Sequence, residues 1–487
     1  MMSQWKTVIG LEVHAEMLTD SKMFSACPVV DSVASPPNTA VDELSLGMPG
    51  TLPVVNMQAM EYGMMVGLAL QCKIPEFSQF ARKSYFYPDL PKGYQISQYD
   101  HPLAVDGYLD IELEDGETKR IRVRRAHMEE DTGKLTHVGS GSLVDYNRAG
   151  VPLLEIVSEP DMNSSAEAEA YARKLRAILR YLGVNHGDMS KGILRFEANV
   201  SVMHEDDTEY RQRTEIKNLN SIRSLQQSID AEVKRQIKLY ENGETVKPAT
   251  LGWDEGGQKI KIQRYKERAD EYRYFPDPDL PIVMYTQEEV EAVRAKLPEL
   301  PAEKHQRFTQ ELGLSAYDAE ILVGEKAVAE YYEQVLAEGA DAKAAANWMN
   351  NSLFALMNAE NIAAEDIATI KVTPKSLAAL IALVEKNIIN NKGGKTVLEE
   401  MFANGGEPKD IVDAKGLAQI SDTSEIEPVI AGVLDDNPDL LQRYVDGADN
   451  LFGALMGASM KAMRGKGDPQ VVKEVLGKLL KQKRDSA

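Results

Sequence analysis

Up to about residue 290 the chain alternates apolar and polar positions in short runs separated by Gly- and Pro-rich turns. That is the period of half-buried strands. The runs are Thr7–Glu16, Tyr108–Glu114, Ile121–Ala126, Leu153–Val157 and Leu194–Met203. In Ile9–Glu16 (IGLEVHAE) the apolar Ile9, Leu11 and Val13 send Glu12, His14 and Glu16 to the opposite face of a strand. Arg195–Val202 (RFEANVSV) alternates strictly, with Arg195, Glu197, Asn199 and Ser201 on the polar side. Arg213, Glu215 and Lys217 repeat the pattern. Two segments follow the helical period instead. Ser164–Leu182 carries a Ser cap, and Ser221–Tyr240 places Ile222, Leu225, Ile229, Val233 and Ile237 on one face. Beyond residue 290 the sequence turns rich in Ala, Leu, Glu and Lys at helical spacing. These patterns predict an α+β fold, with a large, mostly antiparallel sheet followed by all-helical C-terminal domains. The expected boundaries are 1–292, 293–407 and 408–487. The Pro-rich stretch 276–281 lies near the end of the first, and Gly405–Pro408 marks the second break.

Composition narrows the function classes. The chain has 487 residues, room for several domains at roughly 100–200 residues each. Its 55 basic and 76 acidic residues leave a net charge of −21, so its overall field repels nucleic acid and anionic membrane. Any RNA contact needs a local basic patch, and residues 461–487 hold the one strong positive run. A solvated helix face would explain that run equally well. Cys27 and Cys72 are the two cysteines, which excludes a disulfide scaffold. No run of about 18 apolar residues is present, so a soluble cytoplasmic protein is expected.

The candidate chemistry sits in carboxylates. Glu12, His14 and Glu16, two carboxylates and an imidazole on one strand face, make half of a site for a hard divalent cation, and a solvated polar face reads the same way. His127–Asp131 (HMEED) adds a second acidic group. Glu155 stands in the apolar run PLLEIV (152–157), where a buried carboxylate needs a metal or an arginine, and Arg148 is the nearest arginine. Arg195, Arg213 and Lys217 form either the floor of a phosphate site or a salt-bridge ladder. Two runs dense in aromatic and charged residues, Arg82–Gln98 and Arg268–Pro281, either pack on each other or line a wet passage. Asn390–Thr396 (NNKGGKT) lacks the first glycine of a phosphate loop, and no glutaminase signature occurs.

The motifs IGLEVHAE, LGMPGTLPVVN (46–56), RKSYFYPDLPKGYQISQ, HMEEDTGK, VDYNRAGVPLLEIVSEPD, EIKNLNS, DEYRYFPDPDLP and the tail GALMGASMKAMRGKGDPQVVKEVLGKLL follow in order. Together they resemble the family of aspartyl/glutamyl-tRNA amidotransferase B subunits, from about residue 7 to about residue 483. The resemblance implies a cradle-shaped catalytic domain related to glutamine synthetase. It implies a heterotrimer with a glutaminase, the A subunit, and a small C subunit. It implies use of ATP and Mg²⁺ to phosphorylate the side-chain carboxylate of Glu-tRNA(Gln) or Asp-tRNA(Asn), and amidation by ammonia arriving through a channel. It also assigns tRNA holding to the C-terminal helices. A non-catalytic, tRNA-binding scaffold is the alternative.

On the same basis Glu12, His14, Glu155 and one of Glu129 or Glu130 are expected at the metal site, with Glu130 favoured by spacing. A carboxylate there is also a candidate gate for ammonia. Arg195, Arg213 and Lys217 are the candidate phosphate contacts. Lys83, Tyr85 and Tyr87 are candidates for the passage. Many family members carry a four-cysteine zinc loop between the first motif and LGMPG. Here Cys27 alone remains, with Asp42 and Ser45 near the second pair, so no zinc is expected and the loop is predicted to be held by packing and hydrogen bonds.

Overall fold

The computed structural model describes residues 4–113, 116–265, 272–420, 422–463 and 466–485. Glu114, residues 268–271 of the second aromatic run and residues 464–465 of the tail lie outside them. The chain divides into two compact units, Met1–Glu303 and Lys304–Ala487.

The first unit is built on eight strands: β1 (Trp5–Glu16), β2 (Ala104–Glu112), β3 (Thr118–Glu130), β4 (Pro152–Ser158), β5 (Leu194–His204), β6 (Thr214–Leu219), β7 (Ala249–Asp254) and β8 (Lys259–Tyr265). Their order across the sheet is β8-β7-β6-β5-β1-β4-β3-β2. Every neighbouring pair is antiparallel except β6 and β7. The alternation in β1 works as its pattern predicts: Ile9, Leu11, Val13 and Ala15 are buried to 1 % exposure or less, while Glu12, His14 and Glu16 face the other way. In β5 the residues Phe196, Ala198, Val200 and Val202 do the same.

Three helices supply the other half of that core. They are α1 (Met57–Ala69), α2 (Ser165–Tyr181) and α3 (Ile222–Glu241). Asn56, Ser164 and Ser221 cap them, each side chain accepting from a backbone N–H of the first turn. Met60, Met64, Leu175, Leu179, Leu225 and Ile229 join Ile9, Leu11 and Val13 in one hydrophobic cluster. Helix α1 approaches the sheet so closely that a Cβ on Gly63 would stand 2.7 Å from Leu103 and Met128. In α3 the buried face is rotated from the expected one. Glu232 and Gln236 are fully buried and bond to Thr214 and the Val200 carbonyl, whereas Val233 and Ile237 are half-buried. Polar tertiary partners outweigh the apolar stripe there.

A small sheet joins the two aromatic runs. Residues Phe80–Ser84 pair with Tyr94–Gln98, and Phe275–Pro276 pair with Ala81–Arg82. Arg82 donates to Asp277 (2.8 Å) and Asp279 (2.6 Å), and Tyr99 stacks on Tyr274 at 4.1 Å. The two runs therefore pack on each other.

The helix Gln287–Arg294 runs across the 292/293 position, and its Val290 and Val293 belong to the first core. The second unit contains helices and no strand among its described residues. It has two hydrophobic clusters, one from Phe308 to Val412 and one from Ile426 to Leu480. The helix Pro408–Lys415 begins at the second expected boundary but gives Val412 to the first of these clusters. The segment NNKGGKT starts the helix Asn391–Asn404, where Gly394 faces Trp348, so it forms no phosphate loop. The terminal helix Pro469–Asp485 buries Val472, Val475, Leu476 and Leu480. Part of its positive charge is already matched: Arg484 bonds to Asp449 (2.7 Å), and Lys478 lies 3.8 Å from Glu427. No described helix is long and apolar enough to cross a membrane.

Candidate functional site

The polar face of the sheet gathers acids from five strands. Register brings His14 of β1 and His127 of β3 to either side of Glu155 on β4. His14 Nε2 is 3.4 Å from Glu155 Oε2, and His127 Nε2 is 3.5 Å from the same oxygen. Glu129, two residues along β3 from His127, shares its face. Its Oε2 lies 3.8 Å from His127 Nε2 and accepts from Ser97 Oγ at 3.1 Å. One ligating atom each from His14, Glu129 and Glu155 lie within 4.8 Å of one another. A second such group is Glu12, Glu197 and Glu215, from β1, β5 and β6. Asn199 donates to Glu12 Oε1 at 2.9 Å, and Thr250 donates to Glu215 at 3.2 Å.

Charge is packed tightly here. Burial, then the charges of Glu155, Glu197 and Glu215, raise Glu12 above the usual carboxylate range. Burial pushes Glu155 up as well, but the His127 and His14 imidazoles and Lys83 hold it well below that range. For His14, burial works against protonation and the hydrogen bond and charge of Glu155 overcome it, lifting the ring to about 9. Such opposed shifts within a few ångströms mark a cluster short of positive charge.

The structure places Glu130 elsewhere. The pleat turns it away from Glu129, and its carboxylate bonds to Lys92 Nζ and to the Ile96 N–H (2.9 Å), with both side chains 2 % exposed. Spacing favours Glu130 for the cluster, but strand geometry selects Glu129. Arg148 does not meet Glu155; it bonds to the carbonyls of Thr132 and Gly133 and faces Asp131 at 3.6 Å.

The expected phosphate cations separate. Arg195 is held by Asp131 (2.8 Å) and the Gly192 carbonyl (2.9 Å), with Glu16 at 3.5 Å, so its charge is already balanced. Lys217 stands inside the second acidic group, donating to Glu197 at 2.6 Å with Glu215 at 3.6 Å. Arg213 is exposed just before β6 and outside both groups. Of the passage candidates, Lys83 lies over the Tyr272 ring at 5.0 Å. Burial opposes its charge, and Glu129, with Tyr274 and Glu155, keeps it protonated above the usual lysine range. Tyr85 and Tyr87 stack on each other at 5.0 Å, with Tyr87 exposed.

His127, Glu197 and Glu215 are not singled out as metal candidates by the sequence. Each sits in a run or motif that the sequence marks, and strand parity was the signal available for all three.

A large mostly antiparallel sheet whose polar face holds one histidine–carboxylate group and one group of three carboxylates, backed by helices and followed in the chain by a helical unit, defines a class of sheet-based domain with a buried acidic centre. The comparisons narrow that class. Residues 7–291 match a family profile described as the GatB/GatE catalytic domain, and residues 330–480 match one described as the GatB domain. The B subunit of an aspartyl/glutamyl-tRNA(Asn/Gln) amidotransferase of Thermodesulfovibrio yellowstonii is 48 % identical over 480 residues, covering 98 % of this chain and 100 % of the relative. Proteins of the same name from Persephonella marina and from Synechococcus sp. (strain JA-3-3Ab) are 47 % and 46 % identical. The alignments cover 98 % and 97 % of this chain, and 100 % and 97 % of those proteins. The chain belongs to the family of aspartyl/glutamyl-tRNA amidotransferase B subunits.

Proposed function

We propose that this chain activates and amidates the mischarged amino acid on tRNA, as the amide-forming member of an amidotransferase complex. It phosphorylates the side-chain carboxylate of Glu-tRNA(Gln) or Asp-tRNA(Asn) with ATP. Ammonia released by a glutaminase A subunit, in a complex that also contains a small C subunit, then displaces phosphate to give the amide. The setting is translation in the cytoplasm. The observation that carries this reading is the convergence of His14, Glu129 and Glu155 beside Glu12, Glu197 and Glu215 on one sheet face in a chain of this family. A scaffold that only bound tRNA would have no use for six ligand-type side chains packed against their own repulsion.

The residues fit Mg²⁺. Oxygen donors predominate, and the raised Glu12 and His14 support this reading, because bound cation charge would relieve the crowding of carboxylates around them. When bound, the cation screens the repulsion between phosphate and carboxylate and polarises the transferring phosphoryl group. His14, Glu129 and Glu155 would hold it, and Glu12, Glu197 and Glu215 offer a second position. Lys217, paired with Glu197 at 2.6 Å, would meet phosphate by exchanging that partner; Arg195, committed to Asp131 with Glu16 at 3.5 Å, ties the end of β1 to the start of β5. Lys83, beside both the acids and Tyr272, is placed to guide an incoming neutral amine. A structural zinc does not fit Ser25, Cys27, Asp42 and Ser45. They offer one thiol, and Asp42 is occupied by Ser25 (2.9 Å), Ser45 (2.7 and 3.0 Å) and the nearby Lys22 ammonium (3.9 Å).

Glu155→Ala in the reconstituted complex tests the reading. Phosphate release from ATP and amide formation with ammonium as donor are expected to fall at least ~10²-fold, the scale of losing a group that stabilises transition-state charge. Affinity for the mischarged tRNA should stay within a few-fold. Undiminished turnover would return the chain to the scaffold reading.

A further inference from the structure

Strand β3 changes face partway along its length. Ile121 and Val123 join the core, and so do Ala126 and Met128, one step out of phase. The register with β4 shifts between Val123 and Arg125, so a bulge makes the change. Beyond it Arg125, His127 and Glu129 share the polar face of the sheet. Arg125 stands opposite Val157, about 7 Å along the strand from the rung where His127 meets Glu155.

Among the described residues nothing neutralises this guanidinium. Its Nε is buried without a hydrogen bond, and no described residue forms an ion pair with it. Its more exposed neighbours differ: Arg124 is held by Glu159 (2.8 and 2.9 Å), and Arg122 by Asp161 (2.6 and 2.9 Å). Arg125 lies 5.7 Å from the centre of the Tyr99 ring, at the outer limit of a cation–π contact. Tyr99 is itself stacked on Tyr274. Burial pushes the Tyr274 hydroxyl up to about 12; Lys83 and Arg125 oppose the rise, while Glu129 and Glu155 add to it. That ring therefore neighbours both the acids and the arginine.

A guanidinium stays charged and offers donors only, so it cannot ligate a cation and its place here is toward an anion. A phosphoryl group in transfer spreads its charge over three oxygens. Of the other cations on this face, Arg195 is spent on Asp131 and Lys217 on Glu197. We propose that Arg125 contacts the substrate, its planar fork gripping the terminal phosphoryl group of the nucleotide beside the His14–Glu129–Glu155 group. This rests on reading the chain as the ATP-using subunit. The acceptor carboxylate is the poorer match. Its charge disappears as the acyl phosphate forms, so a fixed guanidinium there would favour the ground state, whereas the phosphoryl group keeps its charge throughout.

The test uses the reconstituted complex and calorimetric titration with two nucleotides, each with Mg²⁺. One is β,γ-imido-ATP, which keeps the terminal phosphoryl group; the other is ADP, which lacks it. Arg125→Met keeps the stem and removes the fork, and Arg125→Lys keeps the charge. Affinity for the imido nucleotide is expected to fall ~10–100-fold in R125M, the scale of a charged hydrogen-bonded contact, and by less in R125K. ADP affinity should stay within about threefold, too small a change for such a contact. Mn²⁺ alone, an EPR-visible stand-in for Mg²⁺, should bind either variant no more weakly than wild type, because the arginine holds none of the ligand side chains. If R125M does not assemble, the same contrast between nucleotides is read in R125K. Unchanged binding of the imido nucleotide overturns the proposal. So does equal loss of both nucleotides, or weaker Mn²⁺ binding, either of which would make Arg125 a packing residue. So does a raised KM for mischarged tRNA with nucleotide affinity intact, which would assign the arginine to the acceptor carboxylate. A wild-type complex that binds neither nucleotide overturns the ATP-using reading itself, and Arg125 falls with it.

Discussion

Glu129 and Glu130 are the same side chain on consecutive residues, and the pleat gives them opposite work. Glu129 faces the polar cluster. Burial raises its pKa, but the nearby His127 imidazole, 3.8 Å away, and then Lys83 against the opposing Glu155 charge, bring it below its ordinary value. Glu130 faces inward and is sealed against Lys92. Glu129→Gln is therefore expected to abolish Mn²⁺ binding while shifting the melting temperature little. Glu130→Ala strands a buried ammonium, and removal of one partner of such a pair costs about 3–5 kcal/mol. Denaturant unfolding of the two variants beside Mn²⁺ titration separates the roles; a reversal of the two outcomes would return Glu130 to the site.

One element shows how local sequence and tertiary contact share the labour. The 20–50 segment has neither helix nor strand of any length, yet Lys22, Ala40 and Ser45 are buried within it. Lys22 donates to the Ala40 carbonyl at 2.8 Å, and Asp42 collects the Ser25 hydroxyl with the Ser45 hydroxyl and N–H. Burial raises the Asp42 pKa, but these donors and Lys22 lower it further than burial lifts it. A carboxylate depressed in the folded state stabilises above its unfolded pKa, and that contribution is lost as the pH falls through the acid range. Asp42→Asn is expected to cost about 1–2 kcal/mol at pH 7, and the gap from wild type should close below about pH 4. Melting curves across pH 3–8 read both, and a gap independent of pH would mean that Asp42 acts by shape alone. Chelator should leave the melting temperature contributed by this loop unchanged.

At the scale of the whole molecule, each unit has its own hydrophobic clusters, from Ile9 to Val293 in the first and from Phe308 to Leu480 in the second. A fragment ending at Glu303 is expected to unfold cooperatively and to bind Mn²⁺ within a few-fold of the full chain, because all six ligand-type side chains lie in it. Mn²⁺ at 100 times its dissociation constant should stabilise that fragment by about 2.7 kcal/mol; a fragment that melts without cooperativity would show that the second unit completes the first core. Much of this architecture follows from periodicity. The period-two runs at Ile9–Glu16 and Arg195–Val202 and the capped helix after Ser164 form where the alternation puts them, because strand faces and helix stripes are set by neighbours in the chain. The ordered motifs, HMEED and PLLEIV among them, likewise fix the family and the residue types of the site. Pairing across the sheet is another matter. That Glu155 lies between His14 and His127, that Arg195 is spent on Asp131 and that Lys217 enters the Glu197–Glu215 pair depend on register between strands far apart in sequence. A one-residue slip would exchange Glu129 for Glu130. No local pattern carries that choice; it is made when apolar faces from distant segments are buried together and the polar groups must find partners on the side that remains.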